Sequence, residues 1–211
     1  MSTVAILGAG IMASALTFPV TDNRHQVNLV GTHLDRDIID SIQRTGIHPE
    51  LGLKMPENVT AFQLEEAEAA FANADVAMSG VNSFGVDWAG AHLATLLKPG
   101  MKVLSITKGM QATEDGTLTM FPDVLRAAVG EPLASQVTWS AIVGPSIAGE
   151  LAVGHDTCVV FCGEDQASLD ELQQMWATDY YHIWTSTAFI GHEVSAPTKH
   201  IYDFAAGFAH G

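Results

Sequence analysis

The chain opens on a continuous apolar run, Val4-Ala5-Ile6-Leu7, that passes directly into Gly8-Ala9-Gly10-Ile11-Met12-Ala13. A run without polar alternation suits a parallel strand covered on both faces, and a parallel strand needs a crossover, usually a helix, to reach its neighbour. The spacing G-x-G-x-x-A supplies the turn into that helix. Its first Gly permits the tight turn, its second lets a pyrophosphate approach the backbone, and a small third residue, here Ala13, lets helix and strand pack closely. With a strand before it and a helix after it, the motif predicts a dinucleotide site at Gly8, Gly10 and Ala13.

The rest of the chain repeats the strand and helix alternation. Strands are expected at Val27–Val30, Val59–Phe62, Val76–Val81, Lys102–Ile106, Val137–Val143, Thr157–Cys162 and Tyr180–Trp184. Helices are expected from about Ile11, at Asp35–Arg44 with Asp35 as N-cap, and at Leu64–Ala74, Phe84–Leu97, Leu118–Ala128 and Gln166–Ala177. Pro19 argues against helical continuation past Thr17. Gly46–Asn58, with two prolines and two glycines, reads as an irregular excursion too polar for a core element. The pattern predicts an α/β fold, a Rossmann-type doubly wound and mostly parallel sheet over residues 1–188. Residues 189–211 are Ala-rich and helix-prone and read as the first helix of a second, helical domain, the alternative being a short C-terminal docking helix.

Composition narrows the partners. A formal charge of −15 disfavours nucleic acid and anionic membrane surfaces, which select basic patches. A small anion needs only local N–H groups and one or two lysines, so it stays admissible. No apolar stretch is long enough for a membrane span, and Met1-Ser2-Thr3 lacks the basic start of a signal peptide, so a cytoplasmic protein is expected. Cys158 and Cys162 share an apolar run and read as core thiols, four residues apart on one strand face and too distant to bridge. The nine histidines show no ligand spacing, His192-Glu193 being followed by Ala at 196, and no metal is predicted.

Three further segments carry chemistry. Lys108, one of only five lysines, follows the apolar run Val103–Thr107 and precedes Gly109. Open α/β sheets place ligand groups at such strand ends. Gly144-Pro145-Ser146-Ile147-Ala148-Gly149-Glu150 follows Val137–Val143 in the same way, offering N–H groups and a hydroxyl to an anion or carbonyl. Lys199 lies in the final helical stretch; a lysine can give a proton to a carbonyl oxygen once burial or a second cation lowers its pKa. At the tip of the second strand, Gly31-Thr32-His33 has no acid to hold the ribose of NAD and no arginine for a 2′-phosphate, while Thr32 and His33 can donate. NAD and NADP both remain open.

Five segments in this order, G-A-G-I-M-A, H-P-E-L-G-L-K-M-P-E-N-V, S-I-T-K-G-M, I-V-G-P-S-I-A-G-E and T-K-H-I-Y-D-F-A-A-G, resemble NAD(P)-dependent glycerol-3-phosphate dehydrogenase, with G-T-H-L-D similar to archaeal-type members. The resemblance implies reversible reduction of dihydroxyacetone phosphate to sn-glycerol 3-phosphate. It makes Lys199 the proton-transferring residue and Lys108 a contact of both substrate and cofactor. Gly144 and Ser146 become substrate contacts, and Ile11, Met12, Thr32, His33 and Ala148 cofactor contacts. The sequence departs from the family pattern at Met12, Thr32 and Ile147, where an aromatic residue, an arginine and a phenylalanine are usual. The family continues into a helical domain that supplies the phosphate-binding arginine, so this chain resembles its N-terminal part and is expected to bind cofactor without turning over. A cleft face without that domain favours a homodimer. The competing readings are a non-catalytic dinucleotide-binding module and a related two-domain ketoacid or hydroxyacid reductase, the latter disfavoured by the pairing of T-K-G with G-P-S.

Overall fold

Every residue of Val4–Leu7 is fully buried, but successive side chains serve different cores. Val4 and Ile6 join one apolar cluster and Ala5 and Leu7 the other, as the two-residue period of a strand requires. That is the signature of a strand sandwiched between helix layers. The computed structural model describes residues 1–112, 116–192 and 194–195. Its main sheet contains β1 (Thr3–Leu7), β2 (Gln26–Val30), β5 (Val59–Phe62), β6 (Val76–Ser79), β7 (Lys102–Ser105), β10 (Thr138–Val143), β11 (Thr157–Gly163) and β12 (Tyr181–Ser186). Two small hairpins, β3 (Ile47–His48) with β4 (Leu53–Lys54) and β8 (Met110–Ala112) with β9 (Leu118–Met120), stand outside it.

The order across the sheet is β12-β11-β10-β7-β6-β1-β2-β5, parallel throughout except where β11 runs against β10. The chain first builds outward from β1 through β2 to β5, then crosses to the other side of β1 and builds through β6, β7 and β10. The switch lies between β1 and β6, and the crevice outside the carboxyl ends of those strands is where such sheets bind ligands. Register places Leu7 beside both Val30 and Ser79, and Ser79 beside Ser105. The residues that follow, Gly8, Gly31, Gly80 and Ile106, are thereby delivered to one edge.

One face is covered by α1 (Ile11–Ala15), α2 (Thr17–Asp22), α3 (Arg36–Thr45), α7 (Ala148–Ala152) and α8 (Gln166–Trp176), whose Ala15, Ile39, Leu151 and Trp176 are fully buried. The other face is covered by α4 (Ala67–Phe71), α5 (Val86–Leu96) and α6 (Phe121–Val129), through Phe71, Leu93 and Leu125.

Several expectations are corrected. Helical structure runs to Asp22 despite Pro19, because the chain restarts at Leu16 and Pro19 becomes the third residue of α2, in the first turn, where its missing N–H has no intrahelical acceptor. Leu118–Met120 is a strand, and α6 starts only at Phe121, with Pro122 in its first turn. The Gly46–Asn58 excursion does contribute to the core, through fully buried His48 and through Met55. Cys162 is buried, its thiol reaching the Ala141 carbonyl at 3.5 Å, but Cys158 is exposed. Both lie on one strand face, where Cys162 clusters with Ala141 and Val143 of the adjacent strand and Phe189 packs against them.

Candidate active site

Gly8 leaves β1 with φ at +112°, a region open chiefly to glycine, and a Cβ there would stand 2.9 Å from the Gly80 carbonyl. Gly80 follows β6 and is constrained by contact alone, since its own Cβ would meet that of Ala13 at 2.7 Å. The small third residue of the motif therefore lets α1 sit against the tip of β6. Gly10 differs from both. Its backbone is extended, with φ −65° and ψ 166°, and a Cβ there would touch nothing within 4 Å. The space in front of Gly10 is an open cradle, with no acidic residue in the first turn of α1.

That cradle is part of a cleft of about 740 Å³. Gly8, Gly10, Ile11, Met12, Ala13, Thr32, His33 and Lys108 all line it, so one crevice gathers eight of the residues singled out in the sequence. Its outer rim is apolar and aromatic. Phe84 is 95% exposed, Leu34 is 78% exposed, and the Trp88 ring lies tilted against His33, at 5.5 Å, and His92, at 4.0 Å. A groove with a peptide-lined cradle at one end and aromatic groups at the other suits a long ligand carrying both phosphate and ring.

The second pair of strand ends meets as well. Lys108, half-buried after β7, donates from Nζ to the Gly144 carbonyl at 2.8 Å. Gly144 follows β10 with φ at +138°, and a Cβ there would press on the Val159 backbone at 3.0 Å. The Ser146 hydroxyl is buried and has no hydrogen-bond partner among the described residues, a costly arrangement for a polar group unless a ligand supplies one. Ala148 opens α7, which packs on α1 and so brings the G-P-S segment beside the Gly-rich turn. Lys199 lies outside the described residues.

Two participants were not assigned to the site from the sequence. Asp35 occupies the N-cap position of α3, but its side chain does not cap that helix. Its Oδ2 accepts instead from the Thr32 N–H at 2.8 Å and from the Ala9 N–H at 3.1 Å, tying the second strand tip to the Gly-rich turn. His48 reaches the same turn from the β3–β4 hairpin, Nε2 standing 3.0 Å from the Ala9 carbonyl. Gly80 and Trp88 were also passed over, although a glycine just beyond an apolar strand run is the kind of signal that singled out Gly8 and Gly144.

A family model described as the NAD-dependent glycerol-3-phosphate dehydrogenase N-terminus matches residues 3–169. Among curated proteins, the chain is 34% identical over 208 residues to an NADP(+)-dependent glycerol-3-phosphate dehydrogenase of Archaeoglobus fulgidus, covering 99% of this chain and 60% of that one. It is 28% identical to a glycerol-3-phosphate dehydrogenase [NAD(P)+] of Acidobacterium capsulatum, of which it covers 62%. Among solved structures, glycerol-3-phosphate dehydrogenase of Plasmodium falciparum superposes with a TM-score of 0.84 at 21% identity, over 99% of this chain and 59% of that one. The enzyme of Coxiella burnetii gives 0.80 at 22% identity, over 94% and 57%. The chain thus spans about three fifths of the length of these relatives. With its Gly-rich turn, switch-point cleft and paired strand ends in place, the chain belongs to the NAD-dependent glycerol-3-phosphate dehydrogenase family, matching its N-terminal part.

Proposed function

We propose that this chain is the cofactor-binding part of an NAD(P)-dependent glycerol-3-phosphate dehydrogenase, which in a longer chain interconverts dihydroxyacetone phosphate and sn-glycerol 3-phosphate. In this reading residues 1–188 form the dinucleotide domain and 189–211 begin a helical substrate domain. The observation that carries it is the meeting of Lys108 with Gly144 at 2.8 Å, at the edge of a crevice whose Gly10 cradle is open. Such a bridge sets a cation between a place for pyrophosphate and a turn that holds an unsatisfied hydroxyl.

A bound nicotinamide supplies hydride chemistry; the chain's residues hold and orient. Gly8, Gly10 and Ala13 shape the turn, and the N–H groups opening α1 at Ile11 and Met12 face a pyrophosphate. Thr32 and His33 stand where the adenosine ribose falls, without an acid aimed at a 2′-phosphate, so either NAD or NADP fits. Ala148 adjoins the turn through α7. Lys108 touches both ligands, Gly144 and Ser146 orient the small phosphorylated substrate, and Lys199 moves the proton at the carbonyl oxygen. The reading places the protein in the cytosol, as a homodimer.

The test uses this chain and a longer one. NADH or NADPH should raise the Tm of this chain, because a ligand that binds only the folded state stabilises it. The longer chain should reduce dihydroxyacetone phosphate, and Lys199→Ala in it should abolish most of that activity. Full activity in that variant would remove Lys199 from its role, and no protection by either cofactor would sink the dinucleotide site. Sedimentation of the longer chain checks the dimer.

A further inference from the structure

The residue at the centre of the Gly-rich turn, Ala9, is fully buried and has a side chain on each end of its backbone. Its N–H donates to the Asp35 carboxylate, and its carbonyl accepts from the His48 ring and from the Ser14 hydroxyl, the latter at 3.1 Å. The Leu51 N–H donates to His48 Nδ1 at 3.2 Å, which leaves Nε2 to carry the ring proton and donate to Ala9. His48 comes from 39 residues away and Asp35 from 26, so neither contact follows from the local geometry of the turn. Gly31 makes the second reach possible. A Cβ there would stand 2.6 Å from Ile39 Cγ1 and 3.3 Å from Asp35 Cβ, so only glycine lets α3 lie close enough for Asp35 to span both loops.

We infer that Asp35 and His48 are positioning residues for cofactor binding: together they clamp the Ala9 peptide units and hold the Gly8–Gly10 turn in its ligand-receiving shape. The inference rests on the dinucleotide reading of the cleft. The two peptide N–H groups occupy Oδ2 and anchor the Asp35 side chain to both loops. His48 does the same for the carbonyl, which would otherwise be a buried acceptor satisfied by Ser14 alone. With the turn held in advance, a ligand does not have to order it, and rigidity of this kind raises affinity.

The test compares His48→Leu, His48→Gln, Asp35→Ala and Asp35→Asn in this chain. Two readouts are needed: the Kd for NADH and NADPH by calorimetry, and amide hydrogen exchange at Ala9 in the ligand-free protein, with exchange at Leu7 and Leu29 as the measure of an intact sheet. His48→Leu and Asp35→Ala should keep the sheet protected, speed exchange at Ala9, and weaken binding by about ten- to hundredfold, the scale of a buried group left unpaired. His48→Gln, which can still donate, and Asp35→Asn, which can still accept, should recover most of that loss. Equal losses in His48→Leu and His48→Gln would make His48 a packing residue and overturn the proposal, as would unchanged exchange at Ala9 in both Leu and Ala variants. If the unsubstituted chain bound neither cofactor, the dinucleotide reading would fall, whereas exchange at Ala9 would still decide whether the clamp exists.

Discussion

The two ends of the crevice are built to different degrees. At the Gly-rich turn, Ala9 is paired at both its N–H and its carbonyl, and the Thr32 N–H, its neighbour at the second strand tip, is satisfied by protein. At the Lys108 end, the bond to Gly144 joins two strand tips, while the Ser146 hydroxyl is buried without a partner among the described residues. A turn peptide paired at both its N–H and its carbonyl is held in shape before anything binds. An unpaired buried hydroxyl instead marks a place where a partner from outside would lower the free energy. The Gly-rich end thus reads as preformed, whereas the Lys108 end holds a buried hydroxyl that, under the proposed function, a ligand would satisfy.

The sharpest way to break that contrast is to spoil the cradle from beneath and from in front. Gly8→Ala forces a Cβ to 2.9 Å from the Gly80 backbone at a φ of +112°, and backbone cannot rotate away as a side chain can. Strain and overpacking together should cost about 3–5 kcal/mol of stability, seen as a fall in Tm of about 10 °C. Gly10→Val meets open space on an extended backbone, so unfolding should shift by no more than about 0.5 kcal/mol. Its cost should appear in cofactor Kd, about a hundredfold weaker, because the valine fills the cradle. If Gly10→Val unfolded the protein, or left cofactor binding intact, the space before Gly10 would not be the pyrophosphate site.

This contrast was only partly legible in the sequence. The first strand and its turn could be read because an apolar run, two glycines and a small residue are all local signals. The same holds for Lys108 and the G-P-S turn, each announced by the strand before it. His48 and Asp35 could not be read that way. Pro49, Pro56, Gly46 and Gly52 correctly signal turns, but nothing in a turn signal says that a histidine within it will fold back onto a residue 39 positions earlier. Asp35 has a good local explanation as an N-cap, and a tertiary contact displaced it. The reversed direction of β11 was equally hidden, since an apolar strand has the same pattern run either way. The β8–β9 hairpin has three residues on each strand, too few to show a period of two.

The bridge at the other end can be tested more gently. Lys108→Met keeps the stem and removes the ammonium that donates to Gly144. In a longer, active chain this should lower kcat/KM by about thirtyfold, within the range set by losing one charged hydrogen bond. In this chain the sheet should persist, with Tm changed by only a few degrees, because the bond spans a solvent-facing crevice. A Tm loss as large as that of Gly8→Ala would make Lys108 a structural strut joining β7 to β10, and would return the substrate role to other residues.

The smallest expected effect separates two of the three buried hydroxyls that find no hydrogen-bond partner among the described residues, Tyr181 being the third. The two are Ser146, in the turn after β10, and Ser79 in β6, which is fully buried. Replacing either by alanine removes a buried polar atom that gains nothing in the free protein, so each should raise stability by about 1 kcal/mol, a Tm increase of about 3 °C. They should then part company in a longer, active chain. Ser146→Ala should raise the KM for dihydroxyacetone phosphate several-fold while Ser79→Ala leaves it unchanged, because only the Ser146 hydroxyl lies in the turn that Lys108 reaches. A Ser146→Ala variant less stable than the parent would mean that the hydroxyl has a partner within the fold. The turn after β10 would then be paired by protein, as Ala9 is at the Gly-rich turn.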